Sequence, residues 1–188
     1  MATAMASHCD VSSAAHVPEG ADTSITALRL EGFPPSVQAR IATLGDLLRE
    51  YGMCRAMEGD EENGFWLRVR DAAPLGREST LWRAVIAPSS AESFLDEIRL
   101  FSASWILDWA GGLVWLSYDG DSDLVRSAAA RAMGHATLWR APVEVRTVTS
   151  MFHPGQPPLA RLEERVRRAF DPAGVFETGR FRDKHHAD

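Results

Sequence analysis

Ser104-Trp105-Ile106-Leu107-Asp108-Trp109-Ala110, then Gly111-Gly112, then Leu113-Val114-Trp115-Leu116-Ser117-Tyr118 is the stretch whose reading decides the fold. Two apolar runs rich in aromatic and branched residues flank a pair of glycines. Glycine takes the positive φ angles of a tight primed turn at little cost, so the segment predicts an antiparallel hairpin turning at Gly111-Gly112. A hairpin this apolar is marginal alone in water and needs further strands or helices against it.

The neighbouring segments supply them. Downstream, Asp119 to Asp123 is a polar break, and Leu124 to Met133 reads as an Ala-rich helix closed by Gly134. His135 to Trp139 is the next strand. Upstream, Leu81 to Ala87 is a strand ended by Pro88, and the helix after it carries Phe94, Ile98 and Leu100. Ser89 or Ser90 is placed to cap that helix, with Glu92 three residues past Ser89 as the second half of a capping box. Further upstream, Glu61 to Ala73 reads as a less regular helix with Phe65, Trp66 and Val69 inward. Val37, Ile41, Leu44, Leu47 and Leu48 form the apolar stripe of a helix that starts after Pro34-Pro35, with Ser36 to cap it and Gly52 to stop it. Ile25 to Phe33 and Val11 to His16 read as strands. Residues 1–10 show no periodicity and are expected to be disordered.

Past the last strand, residues 141–156 read as a long connection. Pro157 to Phe170 is a helix with Leu159, Leu162, Val166 and Phe170 on one face. The tail, 182–188, reads as flexible. The order of strand, helix, helix, strand, helix, hairpin, helix, strand, helix is not the regular alternation of a doubly wound parallel sheet. The expected fold is α+β: a mainly antiparallel sheet with helices largely on one face and ferredoxin-like elements.

Composition narrows the function classes. Of the 188 residues 45% are apolar and 24% charged, with a net charge of -6, which fits a globular chain and argues against a nucleic-acid partner. Cys9 and Cys54 are the two cysteines and form no CxxC pair, so no thiolate metal or cluster site is expected. The histidines are scattered, His185-His186 apart, and no metal site is expected. No window approaches the ~18 apolar residues of a membrane span, so no direct membrane insertion is expected. The chain reads as cytoplasmic, with any membrane association made through partners. No Gly-x-Ser-x-Gly elbow, GxGxxG or GxxxxGK[ST] loop occurs, so catalytic residues stay unassigned and the chain has no sequence device of its own for a pyrophosphate.

Six tryptophans remain to be placed. Most are expected to pack between sheet and helices, while Trp109 and Trp115, close to the turn, are the candidates to face a cavity. Asp108 is the polar residue of its strand and reads as facing water. Arg140 suits a bidentate grip on a carboxylate.

Three stretches together resemble one family. These are Leu-Trp-Arg-Ala-Val (81–85) with Pro88-Ser89, Asp-Trp-Ala-Gly-Gly-Leu-Val-Trp-Leu (108–116) and Gly-His-Ala-Thr-Leu-Trp-Arg-Ala (134–141). They are similar to the C-terminal, substrate-side (cap) domain of the glycolate oxidase FAD-binding subunit. The ending Phe-Asp-Pro-Ala-Gly-Val-Phe-Glu-Thr-Gly-Arg (170–180) resembles the C-terminal signature of the wider, vanillyl-alcohol-oxidase-like family of FAD-linked oxidases. The resemblance runs over residues 11–181, and by it the N-terminal FAD-binding domain is expected to be absent from this chain.

The resemblance implies part of an FAD-dependent oxidoreductase acting on glycolate or another small 2-hydroxy acid. Its FAD would be held mainly by a partner domain or subunit, and electrons would pass toward an iron–sulfur subunit. By position, Glu177, Thr178, Gly179 and Arg180 match the segment near the flavin, and Trp109, Trp115, His135 and Arg140 match the substrate-side strands. Glu177-Thr178 departs from the family's usual Asn-Pro, which would put a carboxylate near the ring. The alternative is a non-catalytic remnant that keeps the fold and serves as a binding or assembly module.

Overall fold

A computed structural model of the chain describes residues 1–20, 23–155 and 157–176. Six strands form one sheet: β1 (Ser13–Pro18), β2 (Ser24–Arg29), β3 (Leu81–Val85), β4 (Ser104–Asp108), β5 (Leu113–Ser117) and β6 (His135–Arg140). They lie in the order β2-β1-β4-β5-β3-β6, and every neighbouring pair is antiparallel. The α-helices among the described residues are α1 (Ala2–Met5), α2 (Pro34–Leu48), α3 (Asp60–Arg70), α4 (Ala91–Arg99), α5 (Ser122–Arg131), α6 (Val143–Val148) and α7 (Pro157–Phe170). The succession β3-α4-β4-β5-α5-β6 is a complete ferredoxin-like unit, and the β1–β2 hairpin widens its sheet beyond β4. The α+β expectation and its ferredoxin-like elements hold.

Alternation along the strands sorts the core into two layers. Trp82, Ala84, Leu107, Val114, Leu116, Ala136 and Leu138 point to one face, where α4 supplies Phe94, Leu95 and Ile98 and α5 supplies Val125, Ala128 and Ala129. Leu81, Ile106, Leu113 and Trp115 point to the opposite face and meet Phe65 and Val69 of α3, with Ala15, Val17 and Ala27 of the hairpin. Each large apolar side chain buried this way contributes about 1.5–3 kcal/mol, which is how two stacked layers offset the ordering entropy that defeats an isolated hairpin. The two helices α4 and α5 cover the first face. On the second, α3 and the β1–β2 hairpin help bury Leu81, Leu113 and Trp115, while Arg83, Trp139 and Arg140 line an open groove.

At one close approach glycine is required. A Cβ on Gly134, between α5 and β6, would run into the Val85 carbonyl oxygen and Ile86, so the helix can turn back onto β3 only without a side chain there.

Several local expectations are corrected. Residues 1–10 are ordered: α1 packs on α2, with Ala4, Cys9 and Leu44 buried in a third small cluster. Small residues, carrying no periodicity of their own, fit there because α2 provides the apolar surface. The β4–β5 connection is not a two-residue turn on Gly111-Gly112. Asp108 pairs with Leu113, leaving four residues between, and the positive φ angles fall on Trp109, Ala110 and Gly111. Gly111 packs against Ala91 and the Pro88 carbonyl and adopts a φ of 98°, so a side chain there would be crowded and strained. Ser90 precedes α4 but makes no side-chain capping bond, and Ser36 lies inside α2. The connection after β6 contains α6, whose Val145 packs against the first core layer.

Candidate functional site

The uncovered part of the sheet and the flank of α3 enclose an open groove of about 1070 Å³. Trp66, Trp109, Trp115 and Trp139 line it, four of the chain's six tryptophans. Trp115 is buried and sets the floor, with Trp139 edge-on to it at 5.3 Å and 78°. Trp109 and Trp139 remain 56% and 59% exposed, so each presents indole surface to whatever enters.

Trp109 is held in a conformation few large residues adopt. Its φ is 51°, in the left-handed region, which costs a non-glycine residue about 1–3 kcal/mol unless its surroundings impose it. They do so from both sides: its N–H donates to Asp108 Oδ1 at 2.7 Å, and its carbonyl accepts from Gly112 N at 3.0 Å. The Arg83 guanidinium sits 5.0 Å from the Trp109 ring centroid, a cation–π contact.

Six arginines share the lining: Arg29, Arg68, Arg70, Arg77, Arg83 and Arg140. Only two carboxylates join them, Asp71 and Asp108, so a chain of net charge -6 concentrates positive charge here. Some of it is spoken for. Arg29 pairs with Glu31 and Glu62, and Arg70 grips Asp71 through Nε at 2.7 Å and Nη2 at 3.1 Å. The hydrogen bond from Arg70 holds the Asp71 carboxyl below its ordinary range, and Arg77 adds to that. Arg68, Arg83 and Arg140 have no ion pair with a carboxylate among the described residues. Arg140 donates from Nη2 to the Gly76 carbonyl at 2.6 Å, and its Nε is buried without a hydrogen-bond partner. Asp108 is half-buried, and burial pushes its carboxyl above the ordinary range while the Trp109 N–H pulls it partly back.

Of the residues singled out from the sequence, Trp109, Trp115 and Arg140 come together in this groove. His135 does not: it opens β6 at the end opposite Arg140, exposed and opposite Val85. The neighbouring His153 is structural, its Nδ1 accepting from Ala136 N at 3.3 Å at the sheet edge. Glu177, Thr178, Gly179 and Arg180 lie outside the described residues. Asp108, expected to face water, lines the groove instead. Arg83 escaped notice although it is the polar residue of Leu81-Trp82-Arg83-Ala84-Val85, the same signal that marked Asp108.

Among the described residues no cluster of three or more His, Cys, Asp or Glu side chains is arranged to hold a metal, and no helix is long and apolar enough to cross a membrane.

The comparison that bears on this site is with the glycolate oxidase subunit GlcE of Escherichia coli (strain K12), to which the chain is 31% identical over 156 residues. The chain is related to GlcE. The match covers 81% of this chain and 37% of GlcE, so the chain spans a little over a third of its relative's length. No family model matches the chain, and no solved structure matches it.

Proposed function

We propose that the chain is the substrate-side part of a glycolate-oxidase-like flavoprotein, in which the groove holds a 2-hydroxy acid against a flavin carried by an FAD-bearing domain or subunit. The observation that carries this reading is the groove itself, where unpaired guanidinium groups and exposed indoles converge on one open face in a relative of a glycolate oxidase subunit.

The fit to FAD is partial and has a clear division. The open mouth of the groove leaves room for a flat ring carried on another domain, while the aromatic and cationic lining faces the acid. The pyrophosphate finds no counterpart, since the sequence has no glycine-rich phosphate loop. FAD held from outside would supply a two-electron acceptor for the hydride of the carbinol carbon.

The chain's own residues do the rest. Arg140 and Arg83, neither ion-paired to a protein carboxylate among the described residues, hold the carboxylate through charge-assisted contacts. Asp108, with Oδ1 occupied by the Trp109 N–H and a carboxyl that burial has made more basic, takes the hydroxyl proton as the hydride leaves. Trp109, Trp115 and Trp139 exclude water around the reacting carbon. Onward electron transfer would go to an iron–sulfur partner.

The test is glycolate-driven bleaching of the visible flavin absorbance, with the chain mixed with FAD and the FAD-bearing part of a GlcE protein. The expected result is bleaching that requires both proteins. Arg140→Gln should slow it about 10–100-fold, the equivalent of one lost hydrogen bond to a charged group. Bleaching that proceeds equally without the chain, or no bleaching in any combination, would leave it a binding module.

A further inference from the structure

The groove is larger and more aromatic than a two-carbon acid needs. At about 1070 Å³ it reaches the upper end of cavities that enclose ligands of drug-like size. Once its carboxylate is held, glycolate has no atoms left to cover two half-exposed indoles. The lining residues come from neighbouring strands of one sheet. Arg83 rises from the middle of β3, beside Trp115 on β5, with its guanidinium over the Trp109 ring. Trp139 lies further along on β6, edge-on to Trp115, next to Arg140. Trp109 is turned toward the groove by a left-handed backbone that its two hydrogen bonds enforce, an arrangement that core packing of this exposed ring does not require.

We infer that the groove takes 2-hydroxy acids bearing an aryl or similarly flat side chain, with Arg83 and Arg140 on the carboxylate and the indoles of Trp109 and Trp139 on the ring. The inference rests on reading the groove as the acid site. Aromatic surface on both ligand and groove adds contact area that a small acid cannot offer, and the guanidinium over Trp109 makes that indole and the carboxylate anchor one unit. Affinity in such a site scales with the ligand atoms placed in contact, so the smallest acids should bind weakest.

The experiment is a titration of the purified chain, free of flavin, with mandelate, glycolate and the uncharged benzyl alcohol, followed by tryptophan fluorescence and calorimetry. Mandelate should bind at least about tenfold tighter than either of the others. Trp109→Ala should remove most of its advantage over glycolate, and Arg83→Gln should remove most of its advantage over benzyl alcohol. Trp109→Gly, which relieves the left-handed backbone, serves as the second variant should the alanine fail to fold. Glycolate or benzyl alcohol binding as tightly as mandelate would overturn the inference, and so would no saturable mandelate binding or binding indifferent to Trp109. Because no flavin is involved, mandelate binding with failed glycolate bleaching would reject the oxidase reading alone, and bleaching without mandelate preference would reject this one alone.

Discussion

Asp108 and Arg83 each interrupt an apolar strand with one charge, and both end in the groove. Alternation along the chain says that a residue faces away from its neighbours; it does not say whether that side of the sheet is covered or open. Asp108 therefore reads as solvated from sequence and proves half-buried. Its folded carboxyl is raised by burial, so the folded state holds the proton more tightly than the unfolded chain. The stability this contributes is present below the unfolded carboxyl pKa and lost as pH rises through the folded value. Asp108→Asn keeps an oxygen acceptor for the Trp109 N–H and removes the charge. Thermal melts should show the variant above the parent at about pH 7, with the gap closing as pH falls toward about 4. A gap that widens on acidification would mean that the arginines around the groove hold Asp108 as a stabilised carboxylate.

At the scale of elements, spacing alone placed most of the helices and strands, because amphipathic period is a local property. It did less well wherever a neighbour decides the outcome. Val143, Val145 and Val148 are poor helix formers and the segment reads as a connection, yet α6 forms as Val145 docks on the core. Four residues rather than two join β4 to β5, with Asp108 paired to Leu113 and the positive φ angles starting at Trp109. In α7 the stripe of Leu159, Leu162, Val166 and Phe170 is where the 3.6-residue period puts it, but none of its residues is buried. Leu162→Ser and Val166→Ser should each change unfolding free energy by no more than about 0.5 kcal/mol in urea denaturation of this chain. A loss of about 2 kcal/mol or more would show that the stripe packs on the chain itself.

The whole molecule is a sheet loaded on both sides. Leu116 and Ile106 are each fully buried but face opposite layers, one toward α4 and α5 and the other toward α3. Truncating either to alanine should cost about 2–5 kcal/mol, measured by urea denaturation, because each side chain is fully buried and leaves a cavity that its neighbours fill only in part. A cost confined to Leu116 would mean that α3 and the β1–β2 hairpin add little to the fold.

The sequence by itself determined most of the elements, their order and the α+β class, since hydrophobic period and helix signals are written residue by residue. It also marked Trp109, Trp115 and Arg140 as worth placing. Only the tertiary structure decided which sheet face stays open, and with it that Arg83 and Asp108 join these residues while His135 stands apart. That choice depends on where α3 lies across strands distant from it in the chain, and on how six arginines from α3, three strands and a loop gather in a molecule of net negative charge. No local pattern encodes either.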